Sequence, residues 1–255
     1  MHAHRAGRED PVEHSEELKP GGYRFFYDDR LFPPGTDTFL LSSLPRLKPG
    51  LRVCDLGCGT GLLGLLLLQR QPAVTVTGVE LLPEAVELGR RAAAVNGLTD
   101  RLLFRQGDLR DVRSLLPAGG FDLAVCNPPY YSPGAGALPR QAPLRTARAE
   151  TACSLADVCR AAAYLLRWGG SFCLVHKPER LTDLFCALRP AGLEPKVLRL
   201  VEQQPGRAPS LVLVESRRGG HPGLTVRPPL VLQAPDGTPT READAIYFRT
   251  TEDTL

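Results

Sequence analysis

Between a short apolar run and a leucine-rich one, residues 55–64 read DLGCGTGLLG, with glycine at 57, 59 and 61. No other stretch constrains the fold as much. Glycines let a chain turn sharply from strand to helix and let a ligand approach the main chain closely. Such a turn belongs to a strand–loop–helix unit, and the flanking sequence repeats that unit. RVCD before the loop is a short buried strand, and GLLGLLLLQR after it a helix. VTVTGVE is a second strand, and PEAVELGRRAAAVN a helix with proline in its first turn and glycine past its end. RLLFRQGD and FDLAVC are a third and a fourth strand. LADVCRAAAYLLRW is expected to be a helix with Trp168 at its end in the core, GSFCLVH a fifth strand, and PERLTDLFCALRPAGL a helix. EPKVLRLVE and SLVLVES are two more strands, antiparallel to each other. The expected fold class is α/β and Rossmann-like. It has a mostly parallel seven-stranded sheet, helices on both faces and an antiparallel C-terminal strand. Upstream, GTDTFLLSSL is a short helix with Thr36 or Asp37 as N-cap. Residues 1–20 form a polar, frayed tail, and 21–255 a single domain.

The composition excludes several classes. With 43% hydrophobic and 23% charged residues in 255, the chain can bury a core without staples. A net charge of +3 tolerates a polyanionic partner without demanding one. The seven cysteines form no CxxC pair, so neither a zinc site nor a disulfide framework is expected. The polar N-terminus is no signal peptide, and LLGLLLL is too short to span a bilayer. These features predict a cytoplasmic protein without metal or membrane.

Two fingerprints overlap in the glycine loop. Gly59, Gly61 and Gly64 fit the dinucleotide signature GxGxxG, whereas Asp55 with Gly57, Gly59 and Gly61 fits the acidic loop of S-adenosylmethionine enzymes. Both expect an acidic residue about twenty positions on to hold ribose hydroxyls, and Glu80 supplies it. Asp55 helps to separate them: a carboxylate repels a pyrophosphate and attracts an ammonium or a sulfonium. Asp108 closes the third strand. It either accepts from the adenine amino group of the cofactor or caps the helix LRDVRSLL. Asp37 has the same two readings, cap or cofactor contact. The expected cofactor-binding residues are Asp37, Asp55, Gly57, Cys58, Gly59, Gly61, Glu80, Leu81, Asp108, Leu109 and Asn127.

The fourth strand stops on CNPPYYSP, residues 126–133. Proline holds the residue before it extended, so Asn127 and Pro128 are both fixed. Neither proline has an N–H, and the result is a stiff corner with two acceptors, the Asn127 side-chain oxygen and the Pro128 carbonyl. An exocyclic NH2 offers two donors to match them. Taking up both hydrogens favours a tetrahedral nitrogen and restores the lone pair of a conjugated amine. Tyr130 can stack on its ring, while Tyr131 is read as loop packing. Asn127, Pro128, Pro129 and Tyr130 are the expected catalytic residues. His176 is read as a packing or local hydrogen-bonding residue.

With DLGCGTG and NPPYY in place, the chain resembles class I methyltransferases with an NPPY motif. More narrowly, it resembles the bacterial tRNA1(Val) adenine-N6 methyltransferases. GTDTFLLSSL, VHKPERLTDLFCALRPAGLEPKVLRLV and LVLVESRRGGHPGLTVRPPLVLQAPDGTPT carry the narrower likeness. It implies S-adenosylmethionine as cofactor and N6 methylation of an adenine adjacent to a tRNA anticodon. Within TARAE the chain has Ala149 where the family pattern often has histidine, which bears on Arg148 and Glu150. An anticodon-loop adenine is unpaired and cheap to extract. Arg140, Arg145, Arg148, Lys177 and Arg180 are candidate phosphate contacts, and Arg217 and Arg218 a possible clamp. Two alternatives remain: a methyltransferase of protein glutamine side chains, whose carboxamide also offers an NH2, and a cofactor- or RNA-binding module without turnover. A nucleotide-linked oxidoreductase is more distant. A monomer is favoured.

Overall fold

The computed structural model describes residues 13–28, 31, 34–128 and 153–249. Eight strands form one sheet: β3 (Arg52–Leu56), β4 (Thr75–Glu80), β5 (Leu102–Gln106), β6 (Phe121–Cys126), β7 (Leu166–His176), β8 (Leu193–Glu202), β9 (Leu211–Arg218) and β10 (Thr225–Val231). Their order is β10-β8-β9-β7-β6-β3-β4-β5. Side chains alternate between two cores. Along β6, Leu123 and Val125 join one, and Ala124 and Cys126 the other. Burial on both faces is why the central strands read as unbroken apolar runs.

The first face is covered by α1 (Thr36–Ser42), α2 (Leu62–Arg70), α3 (Pro83–Val95) and, near the C-terminus, α7 (Arg241–Ile246). The second is covered by α4 (Val112–Leu115), α5 (Leu155–Leu165) and α6 (Leu181–Leu188). In α3, Ala85, Val86, Gly89, Ala92 and Ala93 are buried, a spacing that puts them on one stripe. α5 opens with a capping box: the Ser154 hydroxyl accepts from the Asp157 N–H, and the Asp157 carboxylate accepts from the Ser154 N–H.

The expected elements are present, with five differences. The sheet has eight strands among the described residues, not seven. Its antiparallel strand, β9, lies between β7 and β8, and β10 pairs in parallel with β8 outside it. β10 carries Pro228 and Pro229, which this edge strand accommodates with a register shift in its pairing to β8 between Arg227 and Leu230. β1 (Glu13–Glu17) pairs antiparallel with β2 (Arg24–Asp28), so part of the expected tail is a strand. Buried Phe25 and Phe26 anchor this hairpin, and the Arg91 guanidinium lies 4.1 Å from the Phe26 ring centre. α5 ends at Leu165, and Leu166 pairs with Phe121 at the start of β7. Trp168 is therefore on a strand. It is 74% exposed rather than in the core, and its indole lies against Gly219, where a Cβ would meet it at 2.2 Å. Gly35, in an extended conformation, is the N-cap of α1, not Thr36 or Asp37. Finally, the segment from Pro178 splits into two 3-10 turns flanking α6, the second at Pro190, where a helix loses its donor.

Candidate active site

From β3 the chain builds outward in both directions, to β4 and β5 on one side and to β6 and β7 on the other. Ligands bind open α/β sheets at such a switch point, beyond the carboxyl ends of the strands. Asp55 stands level with Val125. Two residues on, Gly57 and Asn127 leave the sheet side by side. Leu56 stands level with Val79 and Glu80 with Gln106, which brings Glu80 and Asp108 to the same edge.

The glycine loop is closed upon itself. The Gly57 and Cys58 N–H groups donate to the Val79 carbonyl at 2.9 and 3.1 Å, and the Gly61 N–H to the Cys58 carbonyl at 2.9 Å. The Gly59 N–H donates to Glu80 Oε2 at 2.9 Å, and the Leu82 N–H to Glu80 Oε1 at 3.0 Å. The Glu80 carboxylate, 4% exposed, thus straps the loop to the end of β4. Gly57 and Gly61 have φ of 72° and 85°, a region closed to most side chains. A Cβ on Gly61 would strike Phe104 at 2.7 Å, whereas one on Gly57 meets nothing within 4 Å. Gly57 therefore faces open space with buried Asp55 and Glu80 beside it in the chain fold. Such a cradle fits a nucleoside with a cationic tail, as S-adenosylmethionine has. Cys58 is buried in the loop, and Leu81 and Leu109 flank the edge, exposed and half-buried respectively.

Asp108 is the N-cap of a 3-10 turn, Leu109–Asp111: its Oδ1 accepts from the Arg110 N–H at 2.8 Å. The Arg110 guanidinium also grips both carboxylate oxygens, with Nη2 2.6 Å from Oδ2. This hydrogen bonding holds the carboxyl below its usual pKa. The capping reading is thus present, and the adenine contact would add to it. Asp37 lies half-buried in the first turn of α1, near Tyr247.

Asn127 follows β6 directly, and its Nδ2 donates to Thr38 Oγ1 on α1 at 3.1 Å. Sequence reasoning passed over Thr38, which lies 89 positions away and has no spacing signal to find it. Pro128 is buried beside Asn127. Pro129, Tyr130, Tyr131, Arg140, Arg145, Arg148, Ala149 and Glu150 lie outside the described residues.

Lys177 and Arg180 follow β7 at the same edge. Arg180 pairs with Asp183 at 2.6 Å, and Lys177 is half-buried. His176 is buried, and its Nδ1 accepts from the Lys177 N–H at 2.8 Å, a local bond as expected. Burial, with Arg180 nearby, pushes its pKa down to about 4. At neutral pH it is an uncharged imidazole. Among the described residues no His, Cys, Asp or Glu group could hold a metal, and no helix is long and apolar enough to cross a membrane.

Comparison with known proteins gives this edge a context. The methyltransferase small domain family matches residues 30–183. A tRNA1(Val) (adenine(37)-N6)-methyltransferase of Porphyromonas gingivalis is 34% identical over 189 residues, 72% of this chain and 73% of that protein. One of Dickeya chrysanthemi is 30% identical over 82% of this chain and 83% of its own. Among solved structures, a predicted O-methyltransferase of Agrobacterium tumefaciens superposes with a TM-score of 0.69 at 23% identity, covering 84% of this chain and 96% of that one. TrmN of Thermus thermophilus gives 0.53 at 26% identity, over 71% of this chain and 48% of its own. The sheet is that of a class I methyltransferase, and the chain belongs to the methyltransferase small domain family and, within it, to the tRNA1(Val) adenine-N6 methyltransferases.

Proposed function

We propose that this chain methylates the exocyclic N6 of an unpaired adenine in a tRNA anticodon loop, adenine 37 in the names of its relatives. The family makes it an S-adenosylmethionine-dependent methyltransferase. One observation carries the reading of the site: Asn127 leaves β6 beside the open glycine cradle, with its amide nitrogen turned to Thr38.

S-adenosylmethionine supplies an electrophilic methyl. This chain's residues supply position and electronics. The Asn127 oxygen and the Pro128 carbonyl accept the two N6 hydrogens, so the nitrogen lone pair turns out of the ring. An amine made nucleophilic in this way needs no strong base, and alignment supplies much of the rate. Tyr130 fixes the plane of the base by stacking. With S-adenosylmethionine bound, Asp55 would meet its cationic end, Glu80 its ribose and Asp108 its adenine. Lys177, Arg180 and the arginines at 140, 145 and 148 meet phosphates, making binding salt-dependent. A tRNA substrate puts the work in the cytoplasm, and one protomer is enough for it.

Labelled S-adenosylmethionine, incubated with unmodified tRNA, should give N6-methyladenosine, and a transcript with guanosine at position 37 should give none. Label confined to added protein, as a glutamine methyltransferase would leave it, sinks the proposal. Asn127→Ala should abolish transfer, at least about 100-fold, because the oxygen acts only on the reacting amine. Its cofactor Kd should hold within about twofold of the parent.

A further inference from the structure

A nucleotide drawn into the catalytic corner brings its neighbours to the rim, and an unpaired loop is held by stacking as well as by charge. The described residues offer a stacking surface there. Thr38 Oγ1 on α1 stands 3.1 Å from Asn127 Nδ2. Phe39, the next residue, stacks on Tyr247 with ring centres 5.3 Å apart, and the Arg249 guanidinium lies 4.9 Å from the Tyr247 ring centre. Both rings are half-buried, whereas Arg249 is exposed. The arginine is thus the outer layer of a stack that begins beside Asn127, a planar cation set against a ring.

The way α7 ends fixes this layer. The Phe248 N–H donates to the Ala245 carbonyl at 3.4 Å and the Arg249 N–H to the Asp244 carbonyl at 2.8 Å, the paired bonds of a Schellman turn. The left-handed position of such a turn is usually glycine, and here it is Phe248, at φ 56°. Its ring supplies a contact that glycine lacks: the Arg70 guanidinium lies 4.8 Å from the ring centre. Arg70, on α2, also donates to the Ile246 carbonyl at 2.8 Å and to Ser42 Oγ on α1 at 3.0 Å. The turn is therefore fastened to α1 and α2, and it sets Tyr247 and Arg249 against α1.

The surroundings decide what the arginine can receive. Arg180, one of the cations expected to meet phosphate, is already paired with Asp183 at 2.6 Å. No ion pair holds Arg249 among the described residues. Asp37 also lies near Tyr247. A carboxylate there opposes a phosphate against the stack but not an uncharged base. We propose that Arg249 is a substrate-binding residue: its guanidinium, backed by Tyr247 and Phe39, stacks on a base next to the target adenine in the anticodon loop. This rests on the reading of the substrate as tRNA. In this role Arg249 adds to RNA affinity and leaves the methyl-transfer step and the cofactor untouched.

The test measures binding and methylation of unmodified tRNA transcript by the full chain. Arg249→Ala should raise the Kd for the transcript about tenfold, the scale of one base stack, with kcat at saturating tRNA within about twofold of the parent and the cofactor Kd unchanged. Arg249→Lys keeps the charge and loses the plane, so its Kd should still rise at least about fivefold. A transcript that lacks the base on one side of adenine 37 should bind the parent about tenfold more weakly. It should bind Arg249→Ala no more weakly than the complete transcript does, because the partner of the missing base is already gone. Arg249→Ala at the parental Kd, a lysine variant at the parental Kd, or losses that multiply whichever flanking base is removed each overturns the proposal. A parent that methylates no RNA at all overturns the reading of the substrate instead.

Discussion

Glu80→Gln tests the strap that closes the glycine loop. Both Glu80 oxygens accept backbone N–H groups, Gly59 at 2.9 Å and Leu82 at 3.0 Å, in a site 4% exposed. Glutamine has the same shape but one oxygen. One N–H keeps an acceptor, and the other faces an NH2 group that cannot accept. Losing a charge-assisted bond and stranding a buried donor together cost roughly 3 kcal/mol. For a chain of this size about 1 kcal/mol moves Tm by 2–4 °C, so the cofactor-free variant should melt about 6–12 °C lower. Glu80→Ala strands both donors and should fall further. Cofactor affinity should also drop by at least about tenfold in each variant, because the loop that shapes the cradle has lost its tie. Thermal unfolding by circular dichroism without cofactor and calorimetric titration with S-adenosylhomocysteine read the two effects separately. A cofactor-free Tm for Glu80→Gln within about 2 °C of the parent would refute the strap. Weaker binding alone would then leave Glu80 as a ligand contact only.

Gly57→Ala should destabilise the fold by about 1 kcal/mol, the cost of a side chain at φ 72°. It should weaken the cofactor at least about tenfold, because the new methyl enters space where no protein atom lies within 4 Å. An equal, small effect on both would mean that the space is not where the cofactor lies. His176 sets a pH dependence. Its folded pKa of about 4 is below the unfolded 6.5, so its contribution is complete above pH 6.5, is lost as pH falls toward 4, and changes no further below that. His176→Gln should shrink the difference in unfolding free energy between pH 7 and pH 4 by about 3 kcal/mol, read by urea denaturation at both pH values. An unchanged difference would show that the imidazole is not held neutral.

The sequence revealed elements whose local and long-range preferences agree. Pro83 at the start of α3, the apolar runs of β3, β4 and β6, and the Asp108 cap all follow from neighbours a few residues away. Where the two preferences conflict, the long-range one prevailed. Leu166 to Trp168 continue a helical pattern, yet pairing with Phe121 draws them into β7 and leaves the indole in solvent. TVRPPLV carries two prolines, and at an outer edge they interrupt only the pairing with β8, which shifts register between Arg227 and Leu230. β1, EHSEE, has no alternation of polarity at all, and its place is set by the hairpin partner RFFYD. In the site, spacing marked Asp55, the glycines, Glu80, Asp108 and Asn127 because each ends a strand. Thr38 ends nothing, and only the packing of α1 brings it to Asn127.

The loop also decides between the two cofactor chemistries that its sequence left open. A loop that cradles a pyrophosphate aims its N–H groups outward at the phosphate oxygens. Here the N–H groups of Gly57, Cys58, Gly59 and Gly61 are all taken up by protein acceptors. The acceptor for Gly59 is itself a carboxylate, sitting where an anionic ligand would otherwise be received. Asp55, Glu80 and Asp108 then put one carboxylate at or just beyond the end of each of three adjacent strands, in a chain whose net charge is +3. An edge of this kind repels a dinucleotide and attracts a cationic nucleoside. The same loop whose Gly59, Gly61 and Gly64 satisfy a dinucleotide pattern on paper therefore serves a sulfonium cofactor in the fold, and the difference lies in the direction of four N–H bonds.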